Sequence, residues 1–471
     1  MRKRHKKPPI KVLLLGQSES GKSTTVKNFQ LAYARNAWLE ERASWRSVIL
    51  LNLVRSVNTI LDVVSRELAH SESSSRASTR LAFSNSSDET SSEDDEDDRT
   101  TQHSHTSSIT SRGASNAPKF AFTEQHRLLQ LRLGPLRRVQ RDLEIRLGAG
   151  ATENPGDLRG PATPFQSTAS QNMSSAVVSS QRHKARPKEF FVHSRSGWRG
   201  ALSLGRGREG ETRIRKGREE AVEEAVEVIA GCSDDIRTLW EDETVHAVLA
   251  KRNIRIDDQP GFFLDDVERI TSRNYEPSDD DVIRARLRTM GVQEYSFIFE
   301  KGSEAGREWI MYDVGGARSY RSAWYPYFMD VNAIIFLAPI SVFDEPLAED
   351  RKVNRLEDSF LLWKAVCSSK LLAKVQLILF LNKCDLLQRK LERGQQIRRS
   401  VPSFGDRPNE HTAVIKYFRQ QFRDISKKYS PEPRGFYSFP TSVVDIKATA
   451  VTLGTVREGI LRNHLQDAEL I

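Results

Sequence analysis

Residues 16–24 of this 471-residue chain read GQSESGKST, a complete G-x-x-x-x-G-K-[ST] phosphate-loop motif. The apolar run at residues 11–15 predicts a buried strand before it, and the residues from Thr24 onward favour a helix after it. A glycine-rich turn between a strand and a helix directs backbone N–H groups at phosphate. We therefore predict a nucleoside triphosphate site in which Lys22 bridges the terminal phosphates and the Ser23 hydroxyl ligates Mg²⁺.

Composition narrows the class of protein. The length predicts two or three domains. The formal net charge of +9 would allow binding to nucleic acid or to acidic lipid. Because basic and aromatic residues are not interleaved, we interpret the excess as solvated surface charge and expect no nucleic-acid partner. Three cysteines without paired spacing make a disulfide framework or a zinc site unexpected. We expect a cytoplasmic protein, because no apolar run approaches the ~18 residues of a membrane span.

The middle of the chain changes character. Apolar residues recur every three or four positions in residues 45–64, which predicts a long amphipathic helix. Further on, residues 91–98 read SSEDDEDD, and residues 148–180 are rich in Gly, Pro, Ser, Thr and Ala. Such stretches bury too little apolar surface to offset the entropy of ordering. We predict that residues 71–210 are mostly disordered, with a helix at 124–147 as the candidate exception and a phosphorylated regulatory tract as the alternative.

Order resumes near Arg213, with helical periodicity as far as residue 267. Beyond Asp281 short apolar runs alternate with helical patterns, which indicates a mostly parallel sheet covered on both faces. The predicted strands lie at residues 295–299, 309–312, 333–337 and 375–381, and the predicted helices at 356–366 and 412–422.

Two further motifs identify the nucleotide. Residues 382–385 read NKCD after an apolar strand, and the Asp385 carboxylate can accept from both N1–H and the 2-amino group of guanine, which adenine lacks. Asn382 and the Lys383 stem would hold the ring, and polar groups left unpaired by the wrong base would provide discrimination. In the intervening DVGG motif, Asp313 is expected to hold Mg²⁺ through water and the Gly316 N–H to meet the γ-phosphate, with a tight turn as the alternative.

The order of these motifs resembles that of the α subunits of heterotrimeric G proteins. Residues 281–289, DVIRARLRT, look like the first switch of that family, and LAED at 347–350 looks like the third. The resemblance covers residues 10–66 and about 213–471. It implies an α/β fold, a Ras-like P-loop GTPase domain with an inserted all-α helical domain. The implied divisions are a basic tail at 1–9, the GTPase domain at 10–40 and 281–471, and the helical domain with its insert at 41–280.

The resemblance also implies a function and a site: a guanine-nucleotide-binding signal transducer that cycles between GDP and GTP downstream of a G-protein-coupled receptor. Arg286 matches the arginine finger that neutralises transition-state charge, and Ser23 and Thr289 match the two Mg²⁺ ligands. The implied nucleotide-binding residues are Glu19, Ser20, Gly21, Lys22, Ser23, Thr24, Asp258, Gln259, Ile283, Arg284, Thr289, Asp313, Gly316, Asn382, Lys383, Asp385 and Val443.

Two departures from the family pattern concern hydrolysis. Ala317 stands where the family has the glutamine that orients the attacking water, and Ser18 replaces a loop glycine close to the γ-phosphate. We therefore predict slow GTP hydrolysis, with compensation by Ser319 or Gln293 as the alternative. A GTP-loaded scaffold that does not hydrolyse is the alternative function.

The two ends of the sequence bear on partners. Position 2 is Arg2 and the first cysteine is Cys232, so N-terminal lipidation is not expected. The family's N-terminal helix, a contact for the βγ dimer, has no counterpart before Ile10, so this partner is in question unless the start is incomplete. The basic cluster at 2–7 could touch the inner face of the plasma membrane, act as a nuclear signal or be solvated. The aliphatic tail at 463–471 resembles the segment that meets receptors.

Overall fold

The computed structural model describes residues 8–84, 120, 122–147, 191–193, 222–300 and 304–467. The strands within these ranges are β1 (Ile10–Gly16), β2 (Phe191–His193), β3 (Arg288–Met290), β4 (Val292–Ile298), β5 (Glu308–Val314), β6 (Ala333–Pro339), β7 (Gln376–Asn382) and β8 (Tyr437–Pro440). The helices of the first half are α1 (Lys22–Tyr33), α2 (Arg35–Arg42), α3 (Trp45–Ser84), α4 (Glu124–Arg132), α5 (Leu136–Arg146) and α6 (222–231). Those of the second half are α7 (Ser233–Glu241), α8 (Glu243–Lys251), α9 (Val267–Ile270), α10 (Asp279–Arg284), α11 (Arg355–Ser368), α12 (Cys384–Glu392), α13 (Ile397–Ser400), α14 (His411–Tyr429) and α15 (Ile446–Asp467).

A six-stranded sheet in the order β4-β5-β1-β6-β7-β8 forms the centre of the fold. Only the edge strand β4 runs antiparallel to its neighbour, and the other pairs in this sheet are parallel. Every residue of β6 and β7 is buried, as expected of parallel strands covered on both faces. The α/β fold predicted from the sequence is confirmed, although the short strand β8 was not anticipated. A separate two-stranded sheet pairs β2 with β3.

Helices cover both faces of the central sheet. On one face α11 and α14 bury Trp363 and Phe422 against Phe336 of β6. On the other face α1 contributes Phe29, which stacks on Trp309 of β5. Because these strands are parallel, the carboxyl ends of β1, β5 and β7 lie at one edge of the sheet. Parallel-sheet proteins bind their ligands at this edge.

The second core is entirely helical and surrounds α3. The sequence predicted a helix over 45–64, but α3 continues to Ser84, beyond the expected start of the disordered insert. The candidate helix at 124–147 is confirmed as two helices, α4 and α5, which bury Leu129 and Leu143 in the same core as α3. The remainder of the predicted insert, apart from β2, lies outside the described residues.

The apolar character of α3 is explained by its neighbours. Among the described helices, only the stretch Trp45–His70 is long and apolar enough to cross a membrane, and 78% of its most apolar window is buried inside the protein. A helix that is hydrophobic on most sides is expected at the centre of a helical core. The sequence-based expectation that no run reaches this length was therefore wrong, although burial accounts for its hydropathy.

Candidate nucleotide-binding site

A cavity of about 500 Å³ lies between the carboxyl edge of the sheet and the helical core. It brings together residues from the phosphate loop, from the segment after β5 and from the loops after β7 and β8, with residues 257–262 and 283–287 on the helical side. Thr289 is the exception among the predicted site residues, since it does not line this cavity and its side chain lies outside the described set. The predicted residues that line the cavity are Glu19, Ser20, Gly21, Lys22, Ser23, Thr24, Asp258, Gln259, Ile283, Arg284, Arg286, Asp313, Gly316, Asn382, Lys383, Asp385 and Val443.

The phosphate loop wraps tightly around its own lysine. Lys22 Nζ donates to the carbonyl oxygens of Gly16, at 3.0 Å, and Gln17, at 2.6 Å. Gly16 and Gly21 adopt positive φ angles of 144° and 102°. A Cβ on Gly21 would lie 2.4 Å from Asn382 Nδ2, so this position has no room for a side chain.

The oxygen atoms of Ser23 and Asp313 meet at one end of the cavity. Ser23 Oγ donates to Asp313 Oδ2 at 2.5 Å, and Asp313 is fully buried at the end of β5. Hydroxyl and carboxylate oxygens are ligands that Mg²⁺ prefers, and it takes few of them from protein when phosphate is present. In the described part of the chain no group of three or more His, Cys, Asp and Glu side chains forms a metal cage. This pair of oxygens fits a magnesium ion that shares its coordination with phosphate.

Arg286 reaches the cavity from the helical side. Its guanidinium pairs with the Glu19 carboxylate of the phosphate loop. Asn52 of α3 fixes its backbone, since the side-chain amide accepts from Arg286 N at 2.7 Å and donates to Arg286 O at 2.9 Å. The helical core thus holds a guanidinium group against the loop expected to carry phosphate.

Asn382 joins three loops at the base end of the cavity. Its Nδ2 donates to Ser20 O at 2.7 Å, and its Oδ1 accepts from Val443 N at 3.2 Å. The Asp385 carboxylate accepts from Ser442 Oγ at 2.7 Å, which orients it beside the cavity. Burial, aided by the charge of Arg355, lowers the pKa of Lys383 to about 8. The geometry places these groups together, and guanine recognition by Asp385 stays a prediction.

Lys27 is a functional candidate that the sequence analysis missed. Its Nζ donates to the carbonyl oxygens of Val282 and Ala285, each at 2.8 Å, and lies 3.8 Å from the centre of the Trp45 ring. Burial lowers the pKa of Lys27 to about 7. Its position five residues after Lys22 on α1 was the only signal, because contacts over some 250 residues leave no local pattern.

A second missed feature closes the side of the cavity. Arg393 donates to Asp258 at 2.8 Å and to Asp257 at 2.9 Å, and Arg389 lies 3.7 Å from the other Asp258 oxygen. The two aspartates belong to the helical side, whereas Arg389 lies on α12 and Arg393 directly follows it. Asp258 was predicted to lie over the nucleotide, and the structure shows which cations hold it beside the cavity.

The two residues predicted to slow hydrolysis occupy different surroundings. Ala317 is buried and does not line the cavity, whereas Ser18 does. Of the two candidate substitutes, Gln293 lines the cavity and accepts from Tyr295 Oη at 2.7 Å, and the side chain of Ser319 lies outside the described set.

Comparison with known proteins agrees with this geometry. A family model described as "G-protein alpha subunit" matches residues 1–460. The chain is 32% identical over 498 aligned residues to "Guanine nucleotide-binding protein alpha-4 subunit" of Mycosarcoma maydis. This alignment covers 98% of this chain and 83% of that protein. The chain is also 34% identical over 231 residues to "Guanine nucleotide-binding protein alpha-2 subunit" of Neurospora crassa. That alignment covers 49% of this chain and 63% of the relative. Fold, motifs and matches agree, and the chain belongs to the G-protein alpha subunit family.

Proposed function

We propose that this protein is a guanine-nucleotide switch that binds GTP and GDP with Mg²⁺ in the 500 Å³ cavity and hydrolyses GTP slowly. The observation that carries the proposal is the meeting of the phosphate loop, Asp313 and the N-K-x-D segment at one cavity. Membership of the family implies a GTPase with βγ and receptor partners in general. A soluble switch of this kind would act in the cytoplasm, beside a receptor at the inner face of the plasma membrane.

Each group has a role that its position supports. Lys22 and the loop amides would hold the phosphates, and Asp385 would select guanine. Ser23 and Thr289 would ligate Mg²⁺, with Asp313 behind it, and the bound ion would offset phosphate charge. Arg286 would leave Glu19 and stabilise the charge that develops on the phosphoryl group, a contribution of roughly 10³–10⁵ in rate where it has been dissected.

Slow hydrolysis follows from the amide that Ala317 lacks and from the side chain that Ser18 adds close to the γ-phosphate. A methyl group cannot orient water, and the loss of one preorganised polar contact typically costs about 10²–10³ in rate. The same two residues favour the second candidate, a GTP-loaded scaffold that signals by its bound state alone, whereas the retained Arg286 favours turnover. Receptor contact through the C-terminal tail stays a prediction, because the side chains of 463–471 lie outside the described set.

The proposal is tested by nucleotide binding to the purified full-length chain with Mg²⁺. We expect GTP and GDP, but not ATP, to displace a fluorescent guanine nucleotide, because only guanine satisfies Asp385. Lys22→Met should abolish binding, and Asp385→Ala should remove the preference for guanine. Asp406→Ala is the matched control, since this exposed carboxylate lies outside the cavity. Displacement by ATP as effective as that by GTP would contradict the proposal.

A further inference from the structure

Three charged side chains follow one another in steps of four residues along α12 and its end: Asp385, Arg389 and Arg393. Residues four apart are neighbours on a helix surface, so the three form a row that begins at the base end of the cavity. Asp385 and Arg389 line the cavity, whereas Arg393 does not. Arg389 is therefore the cation of this row that lies next to the carboxylate expected to select guanine.

The two oxygen atoms of the Asp385 carboxylate face different groups. Ser442 Oγ donates to Oδ1 at 2.7 Å and accepts from Asp385 N at 2.9 Å. Arg389 Nη2 lies 3.6 Å from the other oxygen, Oδ2. The last torsion of an aspartate side chain has broad energy wells, so a single bond to Ser442 leaves the plane of the carboxylate free to turn. The charge of Arg389 beside Oδ2 restricts this rotation.

Arg389 is itself held from the helical side of the cavity. Its Nη1 lies 3.7 Å from Asp258 Oδ1, a buried oxygen atom that makes no hydrogen bond within the described part of the chain. A buried carboxylate oxygen without a hydrogen bond is costly, which favours a cation beside it. The other oxygen of Asp258 accepts from Arg393 at 2.8 Å. The guanidinium of Arg389 thus lies between two carboxylates, one on α12 and one on the helical side.

We propose that Arg389 is a positioning residue that orients the Asp385 carboxylate for guanine and links this orientation to Asp258 across the cavity. The inference rests on the proposed function, because it concerns how that site selects its base. A carboxylate accepts from both N1–H and the 2-amino group only when its plane matches that of the base. Each of its oxygens has two acceptor sites, so the contacts with Ser442 and Arg389 leave one site on each oxygen for guanine.

The geometry gives Arg389 and Arg393 separable roles. Arg393 pairs with Asp257 and Asp258 and has no contact with Asp385. Its loss should therefore weaken the binding of different bases to the same extent. Arg389 lies within ion-pair distance of both Asp258 and Asp385, so its loss should also change the preference among bases.

The test compares GDP with inosine diphosphate, which keeps N1–H but lacks the 2-amino group. The ratio of the dissociation constant of inosine diphosphate to that of GDP measures the second hydrogen bond to Asp385. Both constants are obtained by displacement of a fluorescent guanine nucleotide from the full-length chain with Mg²⁺. We expect a ratio above one for wild type. Arg389→Met should lower this ratio about two- to fivefold, the upper part of the range for a partly exposed ion pair.

Two further variants separate this role from general stability. Arg389→Lys keeps a positive charge on the same turn and should retain most of the wild-type ratio. Arg393→Met removes the pairs with Asp257 and Asp258 and should weaken both nucleotides equally, which leaves the ratio unchanged. A wild-type ratio in Arg389→Met, or an equal fall in Arg393→Met, would overturn the inference alone. Wild-type protein that binds neither nucleotide, or binds both equally, would instead refute guanine selection by Asp385, and the inference with it.

Discussion

At the scale of single residues, the proposal of slow hydrolysis depends chiefly on Ala317. It is 5% exposed and lies between Gly316, packed against the phosphate loop, and the turn that begins at Arg318. Its backbone is extended, with φ −65° and ψ 148°, so a longer side chain is compatible with its conformation. The increase in the rate of GTP hydrolysis when glutamine replaces Ala317 therefore measures the contribution of the missing amide.

We predict that Ala317→Gln raises the single-turnover rate of GTP hydrolysis by about 10²-fold, because its amide would orient the attacking water. The measurement is phosphate release from preloaded protein after addition of Mg²⁺. Ala317→Met adds similar bulk without an amide and should stay at the wild-type rate. A wild-type rate equal to that of Ala317→Gln would mean that another group compensates, and Gln293→Leu should then slow hydrolysis.

Sequence reasoning located the residues of the cavity because each motif sits where a strand ends, and parallel strands bring their carboxyl ends to one edge. It missed Lys27 and the cations around Asp258 for one physical reason. The acceptors of Lys27 are about 255 residues away, and Arg393 lies 135 residues from Asp258. A buried polar side chain must find partners, but nothing in its local sequence indicates which ones.

At the scale of elements, the helix predicted over 124–147 joined the helical core, whereas most of the predicted insert lies outside the described residues. Leu129, Leu136 and Leu143 are spaced seven residues apart, and all three are buried in the same core as α3. The single helix predicted over 124–147 is broken in two at Gly134-Pro135, because proline cannot continue the hydrogen bonding of the preceding turn. β8 was missed because it has four residues and ends in Pro440.

The contact between α1 and α10 carries a prediction about pH. Burial lowers the pKa of Lys27 from 10.5 to about 7, against opposing effects of Glu41 and Asp313. Between these two values the unfolded chain binds one more proton than the folded chain, so this residue makes stability rise with pH. The penalty for burying the charge is complete below pH 7 and is relieved as the pH rises toward 10.5.

We therefore predict that wild type gains stability relative to Lys27→Met by about 1 kcal/mol per unit between pH 7 and pH 9. The measurement is urea unfolding of both proteins at several pH values and one saturating GDP concentration. Lys11→Met is the control, because the hydrogen bond to Asp330 raises the pKa of Lys11 and keeps it charged over this range. A stability difference for Lys27→Met that is flat with pH would show that Lys27 stays protonated through its carbonyl and Trp45 contacts.

At the scale of the whole molecule, the cavity is bounded by two cores that polar contacts join on two sides. On one side Trp38 and Arg35 both donate to Asp279, at 2.8 and 2.7 Å, near the points where the chain enters and leaves the helical core. On the other side the ion pairs of Asp257 and Asp258 with Arg393 join the cores across the cavity. The first contact lies close to the covalent connections, so separation of the cores would open the side held by Arg393.

We predict that Arg393→Ala speeds dissociation of bound GDP by about two- to thirtyfold, since it removes two partly exposed ion pairs that contribute about 0.2–1 kcal/mol each. Higher salt should speed release from wild type more than from the variant, because ions screen the two pairs with Arg393, and the variant keeps only the longer pair of Arg389 with Asp258. The measurement is displacement of fluorescent GDP at low and high salt. Arg398→Ala removes an exposed arginine from the next helix, α13, and should change neither the rate nor its salt dependence. Equal rates of GDP release from wild type and Arg393→Ala would mean that the nucleotide leaves without separation of the cores at Arg393. The cores would then have to separate on the other side, at Asp279, where the chain connects them.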